Sequence, residues 1–273
     1  MTPQDFANLS DLVRRRSGLV LTSGKTALVE SRLHPVAKRF GFRDANALMA
    51  ELPHPSEELA RVITEAMMTN ETSFFRDPAA FEFLMKTALP ALVQARSSSR
   101  RLRIWCAACS TGQEAYSLAT ILDELDLSRQ GWKIDLIASD LSESAIARAK
   151  WGMYTPYEVE RGLPPQVLHR QFVKESGQWR VADRLRRMVT FRTFNLLDHF
   201  GWLGDIDLIL CRNVLLYLEP GMRAEIHAKL AETLAPDGYL LLGDNENASD
   251  DFAAAARSVF VKPPRISRLP MFG

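Results

Sequence analysis

The sequence has few of the residues that build disulfide frameworks and zinc sites. Its 273 residues include three cysteines and five histidines. Cys106 and Cys109 form a CxxC pair, but no second pair completes a zinc site, and the histidines are scattered. We therefore predict core or loop cysteines, with no metal site and no redox role.

Long apolar runs and a strong charge of either sign are also missing. No run approaches the roughly 20 residues of a membrane-spanning helix, and the opening MTPQDFANLSD lacks the layout of a signal peptide. Basic and acidic side chains number 34 and 33, and 47% of residues are hydrophobic. These features predict a cytoplasmic protein without membrane insertion, with a core large enough for one large or two smaller domains.

Glycine-rich phosphate loops are absent too, since neither GxGxxG nor GxxxxGK[ST] occurs. The strongest local pattern is LRIWCAACSTGQEAYSLA (102–119), a buried strand, a turn with the single glycine Gly112, and a helix. Glu114 lies just inside this helix, where a carboxylate would repel phosphate but attract an ammonium or sulfonium group. The turn therefore favours S-adenosylmethionine (SAM), with an NAD-like cofactor and a plain packing turn as alternatives.

Apolar segments then alternate with helical patterns, which is typical of an α/β sheet. The predicted strands cover 134–138, 189–194, 206–211 and 239–242. Polar residues follow three of these strands: Asp140, Asn195, and the pair Arg212 and Asn213. Such residues line the binding crevice of open α/β sheets. An acid after the second strand suits ribose hydroxyls. An N-cap role for Asp140 at the next helix is the competing explanation, and the two roles are compatible.

Two regions depart from this alternation. The first region covers approximately residues 165–190. It begins at the proline-rich GLPPQ (162–166) and includes the strand-like QWRV (178–181), so we predict a small inserted β subdomain with a hairpin. The first ninety or so residues show only helical spacing. We therefore predict a helical domain with its linker at 1–75, followed by a sheet domain at 76–273.

The helical domain contains a basic segment. Between residues 12 and 39, Glu30 is the only acid, and the basic residues are Arg14, Arg15, Arg16, Lys25, Arg32, Lys38 and Arg39. Such segregation favours an acidic partner, with a solvated helix surface as the alternative. Nucleic acid is disfavoured because no aromatic side chains are interleaved with these charges.

The segment TNETSFFRD (69–77) crowds hydrogen-bonding side chains beside two phenylalanines. This composition is typical of a ligand-facing loop anchored by aromatic packing. A capping loop before the helix at Pro78 is the alternative.

Several ordered motifs resemble the CheR family, the chemotaxis receptor glutamate O-methyltransferases. MTNETSFFRD is similar to the family's TxNxTxFFR segment, and SGLVLTSGKTALVESRL to its basic helical domain. CAACSTGQEAYSLA, ASDLSESAIARAKWGMY, FNLLD and LILCRNVLLYL resemble its successive sheet-edge motifs. The resemblance implies an α/β, class I SAM-dependent methyltransferase (Rossmann-like) sheet with an all-helical N-terminal domain and a small inserted β subdomain.

The same resemblance implies the site residues. The cofactor contacts fall on Asn70, Thr72, Arg76, Glu114, Asp140, Asn195, Leu196, Arg212 and Asn213. Ala108, Gln113 and Ala115 depart from the family's usual glycine, glutamate and proline, and Asp244 and Asn245 replace its more common His-Ser. Asp244 and Asn245 lie in the loop after the last predicted strand, and their departure leaves the role of that loop open.

The implied reaction is methyl transfer from SAM to receptor glutamates, which leaves S-adenosylhomocysteine. A glutamate with a pKa near 4.3 is already ionised at neutral pH, so no base is needed. Arg76 and Tyr217 are the candidate catalytic residues, with Arg76 mainly shaping the cofactor pocket and Tyr217 alternatively a packing aromatic. We expect a monomer whose basic segment docks receptor helices. A SAM-binding module without turnover and a small-molecule methyltransferase are the competing functions.

Overall fold

The computed structural model describes residues 1–22, Gly24 and 26–262, so Lys25 of the basic segment lies outside the described residues. The chain forms two compact units. Among the described residues, the helical unit comprises 1–70 and 217–223, and the sheet unit comprises 71–216 and 224–262. Across the described ranges, no helix is both long and apolar enough to cross a bilayer.

The described residues up to 70 contain the helices α1 (Pro3–Ser17), α2 (Thr26–Arg39), α3 (Ala45–Met49) and α4 (Glu57–Met67). Helix α1 begins at a capping box between Thr2 and Asp5, and it ends at Gly18 with φ of 76°. The apolar residues that recur at helical spacing form the unit's own core, in which Leu9, Val13, Leu33, Leu48 and Ile63 are fully buried. The predicted all-helical N-terminal part is thus confirmed.

The remaining helical elements are α5 (Pro78–Phe83), a π-helix at Leu84–Ala88, α6 (Leu89–Ala95), α7 (Gln113–Glu124), α8 (Glu143–Trp151), α9 (Pro156–Glu160), α10 (Pro165–Gln171), α11 (Asp183–Met188), a 3₁₀-helix at Leu215–Tyr217 and α12 (Pro220–Thr233). The strands are β1 (Arg101–Ala107), β2 (Lys133–Asp140), β3 (Met153–Tyr154), β4 (Phe172–Glu175), β5 (Gln178–Val181), β6 (Val189–Thr193), β7 (Ile206–Cys211), β8 (Leu234–Leu241), β9 (Ala253–Ala256) and β10 (Val259–Val261).

Seven strands form one sheet in the order β6-β2-β1-β7-β8-β10-β9. The neighbouring strands β6, β2, β1, β7 and β8 are all parallel to one another. Strand β10 is antiparallel to both of its neighbours, β8 and β9. The order reverses between β1 and β7, which is the switch point where open α/β sheets bind ligands. Every residue of β7 is buried, as expected for a central parallel strand covered on both faces.

The predicted strand at 239–242 was expected to be the last of the sheet, and this expectation is wrong, because β9 and β10 follow it and extend the sheet. The sequence Ala253–Ala256 gave no strand signal, since alanine is depleted in strands.

The inserted β subdomain contains three strands in the order β3-β5-β4. Strands β4 and β5 are the predicted hairpin, with Ser176 and Gly177 at positive φ in its turn. Strand β3 joins β5 through Met153 and Tyr154. Two residues are too few for an alternating pattern, so the sequence did not reveal β3.

Candidate active site

The turn between β1 and α7 is built from alternating left-handed residues. Ala108, Ser110 and Gly112 have φ of 53°, 50° and 95°. A Cβ on Gly112 would lie 2.8 Å from the Ala149 Cβ, so both the backbone angle and the close packing require glycine. The turn brings the first residues of α7 to the carboxyl end of β1.

The three departures near this turn are compatible with its geometry. Gln113 is buried, and its Oε1 accepts the Thr111 hydroxyl at 2.8 Å. Ala115 is fully buried in the first turn of α7. Ala108 takes a left-handed conformation, which glycine adopts at no steric cost.

Asp140 ends β2 beside the same turn. Its carboxylate accepts the backbone N–H of Ser110 at 2.7 Å and that of Ser142 at 2.9 Å, and the residue is 4% exposed. The capping alternative for Asp140 is wrong, since the Ser142 hydroxyl caps α8 by accepting the Ala145 N–H at 3.1 Å. Asp140 is therefore a fixed, buried carboxylate between the ends of β1 and β2.

Glu114 and Arg212 form a buried ion pair across the switch point. The Arg212 Nη1 donates to Glu114 Oε2 at 2.9 Å, and the two residues are 6% and 8% exposed. Burial raises the pKa of Glu114, and the Arg212 charge opposes that rise. The sequence predicted both residues as separate cofactor contacts, whereas the structure shows that they also bind each other.

Arg212 also holds the segment before α5. Its Nη1 donates to the Arg76 carbonyl at 2.8 Å, and its Nη2 donates to Asp77 Oδ2 at 3.3 Å. Its Nε donates to the Leu242 carbonyl at 3.3 Å, at the end of β8. One buried guanidinium thus ties together the carboxyl ends of β7 and β8, the start of α7 and the loop that carries Arg76.

The part of TNETSFFRD within the sheet unit is anchored by its aromatic residues. Phe74 is 1% exposed and packs edge-on against Tyr154 and Phe172, with ring centroids 5.0 and 5.4 Å away. The Phe75 N–H donates to the Ser117 hydroxyl at 2.9 Å. Asp77 is the N-cap residue of α5 and Pro78 follows it, so the segment also leads into that helix as the capping alternative predicted, although the Asp77 side chain makes no cap hydrogen bond. Half-buried Thr72 and Arg76 lie on either side of the aromatic anchor.

Asn195 and Leu196 follow β6. The Phe194 N–H donates to the Asp140 carbonyl at 2.9 Å, which places this segment beside the end of β2. The Asn195 Oδ1 accepts the Leu197 N–H at 3.0 Å and closes a turn. Both predicted residues are half-buried at the carboxyl edge of the sheet.

Sequence reasoning missed one residue at this edge, Glu246. Its two carboxylate oxygens accept four backbone N–H groups, those of Asn213, Val214, Leu216 and Gly243. Glu246 lies in the motif GDNEN, but no local pattern indicates that its carboxylate binds backbone groups about 30 positions earlier.

Two predicted residues belong to the helical unit. Asn70 is its last residue before the sheet unit, and Tyr217 begins its second chain segment. The Tyr217 carbonyl accepts the Val20 N–H at 3.0 Å, and its side chain is 42% exposed. This exposure argues against a packing role for Tyr217, while its catalytic role stays a prediction.

The residues at the carboxyl edge suit SAM better than a dinucleotide. Two buried carboxylates, Glu114 at the start of α7 and Asp140 at the end of β2, lie here in place of the glycine-rich run of amides that receives a pyrophosphate. A carboxylate at the end of β2 can accept ribose hydroxyls, and one beside the turn favours a cationic amino acid moiety. The side chains present therefore fit a cationic nucleoside ligand without phosphates.

Most arginines of the basic segment form ion pairs with acidic side chains, so the segment carries less uncompensated positive charge than its sequence indicates. Arg14 and Arg15 pair with Asp11, Arg14 also with Glu219, Arg16 with Glu57 and Arg39 with Glu58. Arg32 donates to the Met67 carbonyl at 2.7 Å and to the Thr69 hydroxyl at 3.2 Å. The whole helical unit contains ten basic and nine acidic side chains, so folding surrounds the basic segment with acids from elsewhere in the chain.

No group of three or more His, Cys, Asp or Glu residues in the described chain is arranged to hold a metal ion. The three cysteines are free and buried, and burial raises the pKa of each thiol.

We expect these thiols to be inert in the native protein, because a buried thiol with a raised pKa supplies almost no thiolate. A colorimetric disulfide reagent should label none of them in buffer at pH 8 and all three in guanidinium. Rapid labelling of Cys106 or Cys109 in the folded protein would contradict the core assignment.

The seven-strand sheet, its switch point and the carboxylates after β1 and β2 define a class I SAM-dependent methyltransferase with a Rossmann-like fold. Residues 70–260 match the family profile "CheR methyltransferase, SAM binding domain", and residues 4–66 match "CheR methyltransferase, all-alpha domain". The chain belongs to the CheR family.

Curated relatives extend over nearly the same length. Chemotaxis protein methyltransferase 1 of Pseudomonas aeruginosa is 39% identical over 246 residues, covering 89% of each chain. Chemotaxis protein methyltransferase Cher2 of Pseudomonas putida is 36% identical over 247 residues, covering 89% of this chain and 90% of its own. A chemotaxis protein methyltransferase of Vibrio parahaemolyticus is 34% identical over 252 residues, with 90% coverage of both.

Proposed function

We propose that this protein transfers methyl groups from SAM to glutamate side chains in the cytoplasmic domains of chemoreceptors and so forms glutamate methyl esters. The observation that carries the proposal is the paired match, in which the helical part and the SAM-binding part both agree with the same family. The relatives named as chemotaxis methyltransferases share both parts. A cytoplasmic location and a monomeric state remain predictions.

The reaction needs a nucleophile that is ready at neutral pH. When bound, SAM supplies a methyl group activated by its sulfonium. A receptor glutamate is ionised without a base, and its oxygen forms the new bond to carbon as the carbon–sulfur bond breaks. One anion and one cation become two neutral groups, so the protein contributes mainly orientation and exclusion of water.

Within this proposal, each buried charged residue at the carboxyl edge has an assigned role. Asp140 is assigned to the ribose hydroxyls, and Glu114 to the cationic amino acid end. Arg212 neutralises Glu114 and fixes the loop that carries Arg76. A tight pair between Arg76 and the substrate carboxylate would reduce the nucleophilicity of that carboxylate. We therefore assign Arg76 mainly to the shape of the cofactor pocket and Tyr217 to the positioning of the substrate.

The basic segment is assigned to the acidic substrate. Its ion pairs are exposed, and such pairs contribute only about 0–1 kcal/mol each, so an acidic helix can compete for the same cations. Lys38 and Arg39 lie exposed at the end of α2. Arg32 is less suitable for a test of docking, because its guanidinium also donates to Met67 and Thr69.

Replacing Lys38 and Arg39 together by Glu should raise the apparent KM for receptor about tenfold at low salt and less at high salt, with SAM affinity unchanged. The matched control is Arg129→Glu with Arg187→Glu, an equal change of charge on exposed residues of the sheet unit. Equal KM values for both double variants at several ionic strengths would refute docking through α2.

Labelled SAM separates this function from its two competitors. Incubation with a receptor cytoplasmic domain and a small-molecule extract should place label in the receptor band. Label only in metabolites would indicate a small-molecule methyltransferase. Tight SAM binding without transfer to either would indicate a binding module.

A further inference from the structure

We propose that Glu246 is a positioning residue that shapes the segment after β7, residues 213–216, for SAM binding and methyl transfer. The inference rests on the proposed function, because Asn213 is an assigned cofactor contact and Leu216 precedes Tyr217 in the chain. It also gives the GDNEN motif a role that the sequence left open.

Each oxygen of the Glu246 carboxylate accepts two backbone N–H groups. Oε2 accepts the N–H of Asn213 and that of Gly243, both at 2.7 Å. Oε1 accepts the N–H of Val214 at 2.9 Å and that of Leu216 at 3.2 Å. One side chain on the loop after β8 thus fixes three N–H groups of the segment after β7.

Burial makes this arrangement depend on a carboxylate. Glu246 is 7% exposed, so lost hydrogen bonds would not be fully replaced by water. A glutamine offers one carbonyl oxygen and one NH₂ group, and the NH₂ group would face backbone donors instead of accepting from them. Aspartate is one methylene shorter, so its carboxylate would not reach the N–H groups of residues 213–216 from the loop after β8. Glutamate is therefore the side chain that this site requires.

Gly243 provides an independent observation on the same segment. A Cβ on Gly243 would overlap the Asn213 Nδ2 and would lie 2.8 Å from both Asn213 Cγ and Glu246 Oε2. Asn213 itself has φ of 57°, a left-handed conformation that asparagine tolerates better than most residues. The close approach of Gly243 and the hydrogen bonds to the Glu246 carboxylate together hold Asn213 in one orientation.

The test compares Glu246→Gln with Asp250→Asn. Both remove one negative charge from the loop after β8, but Asp250 is exposed whereas Glu246 is buried. We expect Glu246→Gln to raise the Kd for SAM about tenfold by calorimetry. It should also lower kcat at saturating SAM and receptor at least tenfold, with the KM for receptor unchanged. Asp250→Asn should stay within twofold of wild type in all three quantities.

Gly243→Ala keeps the carboxylate and tests the segment by a second route, which also covers a Glu246→Gln variant that fails to fold. It should weaken SAM binding, and it should add nothing to Asn213→Ala in a double variant. SAM affinity within twofold of wild type for a folded Glu246→Gln, or for Gly243→Ala if the former does not fold, would overturn the inference. A wild-type protein that binds SAM but methylates no receptor would refute the proposed function, while the SAM affinities would still decide the role of Glu246.

Discussion

Arg212→Ala is expected to lower the free energy of unfolding by about 3–5 kcal/mol, because removal of one partner leaves the other as an unpaired buried charge. Arg212 is 6% exposed and donates to Glu114, Asp77 and two backbone carbonyls. The same change should abolish measurable SAM binding, since Glu114 and the loop that carries Arg76 both lose their anchor. Denaturant titration and calorimetry measure the two effects.

Arg101→Ala is the control for this experiment. Arg101 lies on β1 and pairs with Asp135 at 2.7 Å, but its side chain is 49% exposed. Its loss should therefore cost less than about 1 kcal/mol. The double change Arg212→Met and Glu114→Leu removes both buried charges, so it should recover much of the stability without recovering SAM binding. A destabilisation by Arg212→Ala as small as that of Arg101→Ala would contradict the buried network.

Asp140→Ala is expected to weaken SAM binding by about 1.5–3 kcal/mol, as for hydrogen bonds to a charged group. The structure adds a second contribution, since the Ser110 N–H loses its carboxylate acceptor and the turn after β1 loosens. Asp140→Asn keeps one carbonyl oxygen and should retain part of the affinity.

Asp135→Ala serves as the control, because Asp135 lies on the same strand β2 but away from its carboxyl end. It should leave the Kd for SAM unchanged. If Asp140→Ala is folded and binds SAM as tightly as the control, the ribose assignment is wrong.

The centre of the sheet could be predicted because its signals are local. β1, the turn at Gly112 and α7 follow one another within about 24 residues, and each carries its own apolar pattern. The carboxyl ends of parallel strands meet at one edge, so Asp140 and Arg212 could be placed there before any contact was known.

The remaining features depend on partners that are distant in sequence. Glu114 and Arg212 are 98 residues apart, and no spacing rule indicates that they form an ion pair. Glu246 binds residues about 30 positions earlier through its side chain alone. The ion pairs of the basic segment involve Glu57, Glu58 and Glu219, which a charge count over residues 12–39 does not include.

The most direct test of the proposed function is to map the methyl group on the product. A receptor cytoplasmic domain incubated with this protein and SAM would be digested, and its peptides analysed by mass spectrometry before and after mild base. We predict that the mass of one methylene appears on glutamate residues, is removed by base, and is absent in a reaction with Asp140→Ala. Base-stable methylation on lysine or a terminal amine, or SAM binding with no methylated receptor peptide, would contradict the assignment of a glutamate O-methyltransferase.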